Sequence, residues 1–270
     1  MTEHLAEMKG LLLDLDGTLY HGTKRIEGAD RLVRMLKELE LPYQFVTNNS
    51  ASAPGDVAER LNKMGIAAAA SDISSSAQAA TEYIARQKPG AAVFIIGEAG
   101  LRQTAIAAGL RITDDQPDYV LQGIDRQLSY DKLAAAVRFI REGAVSVLTN
   151  PDLLLPGESG LIPGAGSIGA MIRAASGQEP ILIGKPSPIL MDYALRKLGL
   201  PAEQTWVVGD NLATDIAAGK ASGCGTALVL TGLTTADNYK AYAEQAGCTP
   251  DIICTNIDEL ISYISTAVGI

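Results

Sequence analysis

The sequence predicts an α/β protein: a largely parallel sheet covered on both faces by helices, with a second domain inserted into it. Three observations carry that reading. Short apolar runs alternate with amphipathic stretches along the whole chain, the pattern of strands joined by crossover helices. The 270 residues leave room for one large or two modest domains, at roughly 100–200 residues each. One stretch, residues 149–166 (TNPDLLLPGESGLIPGAG), breaks the rhythm with three prolines and four glycines. A loop of that length in a compact protein is usually functional or mobile, and it is placed at the edge of the inserted domain.

The elements follow in order. Leu11, Leu12 and Leu13 make a continuous apolar run, the signature of a strand buried on both faces. Ala29, Leu32, Val33, Leu36 and Leu39 then recur at helical spacing. Residues 43–46 form the next strand. Residues 57–64 read as a helix entered through Pro54, which suits a first turn, and ended by Gly65. Further strands are expected at 92–96, 119–122, 145–148, 181–183, 206–208, 226–230 and 251–254. Helices are expected at 101–108, 131–141, 167–175, 189–198, 214–221, 238–246 and 257–265.

Composition narrows the function. Apolar residues make up 47% and aromatics only 5%, so the core is aliphatic. The excess of 31 acidic over 22 basic residues gives −9, a poor charge for non-specific binding to nucleic acid or to an anionic membrane. No apolar run approaches the ~20 residues of a membrane span. Residues 1–9 carry Glu3 and Glu7 and do not read as a secretory signal. Cys224, Cys248 and Cys254 form no CxxC, which fits a reduced cytoplasmic compartment better than a disulfide framework.

Three strands end in polar residues. The first runs into Asp14, Leu15, Asp16, Gly17 and Thr18. The second ends in Thr47, Asn48, Asn49 and Ser50. The third ends in Gly209, Asp210 and Asn211, with Asp215 five residues beyond Asp210. Ligands of open α/β sheets bind beyond the carboxyl ends of strands, so neighbouring strands would bring these groups to one crevice. Gly184-Lys185-Pro186 adds a cation at the same edge. Asp14, Asp16 and Asp210 crowd negative charge, which a hard cation such as Mg²⁺ relieves. The cation recruits a phosphate, and Lys185, Thr47 and Asn48 hold its remaining oxygens.

DLDGT after an apolar strand, Thr47 at the end of a second, GKP and GDNLATD, in that order, resemble the haloacid dehalogenase superfamily of aspartate-nucleophile phosphatases. DLDGTLYHG, FVTNNS, LTNPD, PGAGS, IGKP and GDNLATDI resemble in particular the NagD-like and p-nitrophenyl phosphatase branch. The resemblance implies a Rossmann-like core. It implies that Asp14 is the nucleophile that forms an aspartyl-phosphate, and that Asp16 is the acid and base. Mg²⁺ would be bound by the carboxylates of Asp14 and Asp210 and the backbone carbonyl of Asp16. Thr47 and Lys185 would fix the phosphoryl group, with Asn48 and Asn49 contributing amides near it. Asp215 would lie behind the metal ligands or orient Lys185.

Thr47 and Lys185 are 138 residues apart, far more than one helix–strand unit needs. An insertion is therefore expected between the second and third motifs, and the resemblance implies that it is a mixed α/β cap at about 80–179, with a core of 1–79 and 180–270. The implied activity is Mg²⁺-dependent hydrolysis of a small phosphorylated metabolite, a sugar or polyol phosphate or a p-nitrophenyl-like ester. A phosphomutase or phosphotransferase and a non-catalytic phosphometabolite-binding protein are the alternatives. A homo-oligomer is compatible with the sequence. No GxGxxG follows the first strand, which excludes a dinucleotide site there.

Each residue also has a plainer reading. Asp210 can cap the helix that follows it, residues 47–50 can form a turn cluster, and Lys185 can be a solvated loop lysine. The turn at Thr149-Asn150-Pro151-Asp152 is either a simple turn or a contact to the leaving group. Residues 163–167 (PGAGS) suit an ordinary helix start.

Overall fold

The computed structural model describes residues 8–157 and 160–269; the expectation for the N-terminal segment lies largely outside them. The chain divides into two compact units. One comprises residues up to Thr47, Pro54–Ser74 and Lys185–Ile270; the other comprises Asn48–Ala53 and Ser75–Gly184.

The first unit carries a six-stranded sheet in the spatial order Ile252–Cys254, Gly225–Val229, Thr205–Gly209, Gly10–Leu13, Tyr43–Thr47, Ile73–Ser75. The pairs from Ile252–Cys254 through Tyr43–Thr47 are parallel. Gly10–Leu13 is central and all four of its residues are buried, which is why an unbroken run of leucines forms it rather than an alternating one. Its neighbours are set by register: Leu13 lies beside Val208 on one side and Phe45 on the other. Helix Ala29–Glu38 buries Ala29, Leu32, Val33 and Leu36, the stripe read from the sequence. Helix Pro54–Lys63 likewise buries Val57, Ala58 and Leu61. Trp206 packs in this unit's core.

The second unit has its own parallel sheet, in the order Ile181–Leu182, Val145–Leu148, Tyr119–Gln122, Ala92–Ile96, Arg111–Ile112. Its core gathers Phe94, Ile96, Val120, Phe139, Ile168 and Ile172. Helix Ala165–Ser176 begins at Gly164, the helix start expected from PGAGS.

Two features differ from expectation. Residues 149–166 are not structureless: Leu154–Gly157 pairs antiparallel with Gly160–Pro163. Helix Ser76–Gln87 does not follow from apolar periodicity, because its buried face is Ser76, Ala77, Ala79, Ala80, Thr81 and Ile84 rather than large aliphatics. Among the described residues, no helix is long and apolar enough to cross a membrane.

Candidate active site

The first unit assembles a charged cluster at the carboxyl edge of its sheet. Asp14 follows strand Gly10–Leu13 directly, and its amide continues the ladder by donating to Val208 O at 2.9 Å. Asp210 follows strand Thr205–Gly209, and Thr47 ends strand Tyr43–Thr47. These three strands are adjacent, so their ends meet by topology alone.

Lys185 is not a solvated loop lysine; it is 3% exposed. Its Nζ donates to Asp14 Oδ1, to Asp215 Oδ1 at 2.6 Å and to Val46 O at 3.3 Å. Oxygen atoms of Asp14, Asp210 and Asp215 all lie within 4.8 Å of one another. The carboxylate of Asp215 also accepts from Asn211 N at 3.1 Å, in the turn of π-helix Leu212–Ile216. Gly209 allows that packing: a Cβ there would stand 2.3 Å from Asp215 Cβ. The capping role considered for Asp210 falls to its neighbour, since Asn211 Oδ1 accepts from Ala213 N at 2.9 Å.

Three carboxylates share one ammonium. Burial raises Asp14 well above the ordinary carboxylate range, the Asp215 charge adds to the rise, and Lys185 offsets only part of it. Burial and then Asp215 push Asp210 up to about 7, against the opposing Leu233 amide and Lys185. Burial works against the Lys185 charge, but Asp14 and Asp215 outweigh it and hold the ammonium above lysine's ordinary range. The cluster therefore lacks positive charge. Oxygen-only donors in that state suit a hard divalent cation. A buried hydroxyl without a hydrogen-bond partner, Thr234 Oγ1, sits on a residue whose amide donates to Asp210 O at 3.2 Å.

Asp16 is exposed, at the turn where Gly17 (φ +88°) reverses the chain and donates its amide to Tyr20 O at 2.8 Å. The carboxylates that lie together are those of Asp14, Asp210 and Asp215, while the reading of Asp16 as a ligand concerns its backbone carbonyl.

Two contributions escape the sequence reading. Thr18 is fully buried; its Oγ1 donates to Asp14 Oδ2 at 3.3 Å and lies 3.5 Å from Asp210 Oδ1. Residues 231–234 wall Asp210: Leu233 N donates to Asp210 Oδ2 at 2.6 Å and Thr231 Oγ1 donates to Gly17 O at 2.8 Å. The available signal was a further apolar strand ending in Thr-Gly at the same sheet edge.

Asn48 and Asn49 group with the second unit. Asn49 Oδ1 accepts from Ala51 N at 2.8 Å and Ser52 N at 3.2 Å, the turn role weighed for this cluster. Asn48 Nδ2 donates to Asp152 Oδ1 at 3.3 Å, and Asn48 O accepts from Asn150 Nδ2 at 2.8 Å and Ser76 Oγ at 2.6 Å. The turn at Thr149–Asp152 is thus more than a simple turn: it grips Asn48.

Two family models match the chain: Haloacid dehalogenase-like hydrolase over residues 11–111, and HAD-hydrolase-like over residues 182–260. The 5′-nucleotidase YutF of Bacillus subtilis is 42% identical over 256 residues, covering 95% of this chain and 98% of that protein. An acid sugar phosphatase of Staphylococcus saprophyticus is 40% identical over 257 residues, covering 95% and 98%. Among solved structures, the p-nitrophenyl phosphatase from Archaeoglobus fulgidus is similar with a TM-score of 0.91 at 37% identity, over 95% of this chain and 99% of that one.

Proposed function

The chain belongs to the haloacid dehalogenase-like hydrolases and is a phosphatase, and from that premise we propose that it hydrolyses small phosphate monoesters through an aspartyl-phosphate on Asp14, with Mg²⁺ as cofactor. The observation that carries the reading is the buried Lys185 ammonium bridging Asp14 and Asp215 beside Asp210. A structural ion pair needs one carboxylate; a third raises the energy of the cluster unless a cation and a phosphate complete it.

The residues divide the work as follows. Asp14 attacks phosphorus, forming the Asp14 O–P bond as the ester P–O bond breaks. Asp16, exposed at the turn after the strand, gives a proton to the departing alkoxide. The same carboxylate then takes a proton from water, which attacks phosphorus, breaks the acyl phosphate and releases inorganic phosphate. Lys185 holds a phosphoryl oxygen and offsets part of the cost of ionising Asp14. Thr47 places a hydroxyl on another oxygen, and Asn48 and Asn49 supply amides. The Asp14 and Asp210 carboxylates and the Asp16 carbonyl would hold Mg²⁺, with Asp215 orienting Lys185. Bound Mg²⁺ supplies neutralisation of the charge shared by Asp14 and the phosphoryl oxygens.

The relatives are named for a 5′-nucleotide, an acid sugar and p-nitrophenyl phosphate; their common chemistry is a phosphate monoester, and we assign this chain the same class. In keeping with the resemblance, we assign the unit of Asn48–Ala53 and Ser75–Gly184 the part of selecting the leaving group. The free thiols of Cys224, Cys248 and Cys254 fit the cytoplasm.

The test is phosphate release from nucleoside 5′-monophosphates, sugar phosphates and p-nitrophenyl phosphate, with Mg²⁺ and with EDTA. Turnover should require Mg²⁺ and return when it is restored. Full activity in metal-free buffer overturns the reading.

A further inference from the structure

We propose that residues 231–234 are the positioning element for Asp210, fixing which of its carboxylate oxygens is offered to the cation. The inference rests on the reading of Asp210 as a cation ligand. Strand Gly225–Val229 runs parallel to Thr205–Gly209, with Leu228 beside Gly209. The residues that follow are thereby carried over the end of the neighbouring strand, where Asp210 stands.

Five contacts then make a socket. The Leu233 amide donates to Asp210 Oδ2 at 2.6 Å, and the Thr234 amide donates to the Asp210 carbonyl at 3.2 Å. Gly232 lies flat against the carboxylate: a Cβ there would stand 2.1 Å from Oδ2. Gly17 closes on the same carboxylate, where a Cβ would stand 2.4 Å from Oδ2. Thr231 Oγ1 joins the two glycine segments by donating to Gly17 O at 2.8 Å. A carboxylate held between two backbones cannot swing, and a backbone N–H cannot turn away as a side-chain donor can. Oδ2 is thus occupied, and Oδ1 is left on the side of Thr18 Oγ1, 3.5 Å away.

Gly232 is the clean probe. Gly17 has φ +88°, so any substitution there is strained for backbone reasons, whereas Gly232 lies outside the left-handed region. In Gly232→Ala the methyl must displace the carboxylate. Mutating the groups that orient a metal ligand typically costs 10–100-fold in metal affinity, and a loss of about tenfold or more is expected here. The measurement is Mn²⁺ binding to the substrate-free full chain, read from the free-ion EPR signal, with circular dichroism melts alongside. Thr231→Val removes the hydroxyl tie while keeping the shape; it should weaken Mn²⁺ binding severalfold, and Thr231→Ser should restore it. If Gly232→Ala does not fold, the Thr231 pair decides. A folded Gly232→Ala that binds Mn²⁺ within twofold of the wild type, while Asp210→Ala does not bind, overturns this inference alone. Thr231→Val binding as the wild type does, with Gly232→Ala unfolded, also overturns it. A wild type that binds no Mn²⁺ overturns both this inference and the reading of Asp210 beneath it.

Discussion

Without metal, this protein should lose stability as pH rises through neutrality, and Asp210 is the reason. Its carboxyl is pushed from the ordinary 3.8 up to about 7, first by burial and then by Asp215. Between those values the folded chain keeps a proton that the unfolded chain has released. Stability therefore falls as pH climbs from about 4 and levels off above about 7. At ~1.4 kcal/mol for each tenfold change in proton affinity, the ionised site costs the fold on the order of 4 kcal/mol. That corresponds to a shift on the order of 10 °C in the transition of the unit holding the site. Asp14, also raised by burial, acts in the same direction. Asp118, held down by its hydrogen bond from Lys88, loses its ion pair only at lower pH, outside this window. The assay is differential scanning calorimetry from pH 5 to 8 in EDTA, then in Mg²⁺. The wild type should melt lower at pH 8 than at pH 5.5 in EDTA, and Mg²⁺ should flatten the profile by binding the ionised form. Asp210→Asn keeps an acceptor for the Leu233 amide and removes the charge. It should show a shallower profile and exceed the wild type at pH 8 in EDTA. A flat wild-type profile in EDTA, or an Asp210→Asn profile as steep as the wild type, refutes the reasoning.

Three further outcomes follow from the site. Asp14→Asn should fold normally and lose turnover by a factor on the order of 10⁴ or more; a variant with half the wild-type rate would remove Asp14 from the nucleophile's role. Asp16→Asn should slow transfer from sugar phosphates more than from p-nitrophenyl phosphate, because general acid catalysis, typically ~10²–10⁴-fold, matters most for a poor leaving group. Rapid-quench assays with the nitrophenyl ester should show a nitrophenol burst and a trapped phosphoenzyme; equal slowing of both esters with no phosphoenzyme would make Asp16 a structural carboxylate. Lys185→Met leaves Asp14 and Asp215 without their buried cation, a loss on the order of 3–5 kcal/mol in urea unfolding; unchanged stability would show that the ammonium does not hold the carboxylates.

Much of this protein is legible residue by residue. The unbroken leucines before Asp14 mark a strand buried on both faces, and a carboxylate at the end of such a strand points to chemistry because burying it unpaired is expensive. Helix Ala29–Glu38 is legible because its buried stripe is made of large aliphatics. Helix Ser76–Gln87 carries its information elsewhere. Its core face is mostly alanine and serine, and its one clear signal is the reciprocal cap in which Ser75 and Gln78 bond each other's backbone amides. The hairpin of Leu154–Gly157 and Gly160–Pro163 is hidden by the prolines and glycines that normally argue against strands.

The sequence by itself determined the kind of chemistry: acids, a lysine and hydroxyls placed where strands end. The tertiary structure alone decided that the carboxylates of Asp14, Asp210 and Asp215 lie together, that Lys185 bridges Asp14 and Asp215, and that residues 231–234 clasp Asp210. The physical reason is range. Strand burial and helix caps depend on neighbours a few residues away, whereas these contacts join residues tens to hundreds of positions apart. Only strand order and parallel register bring them within a hydrogen bond of one another.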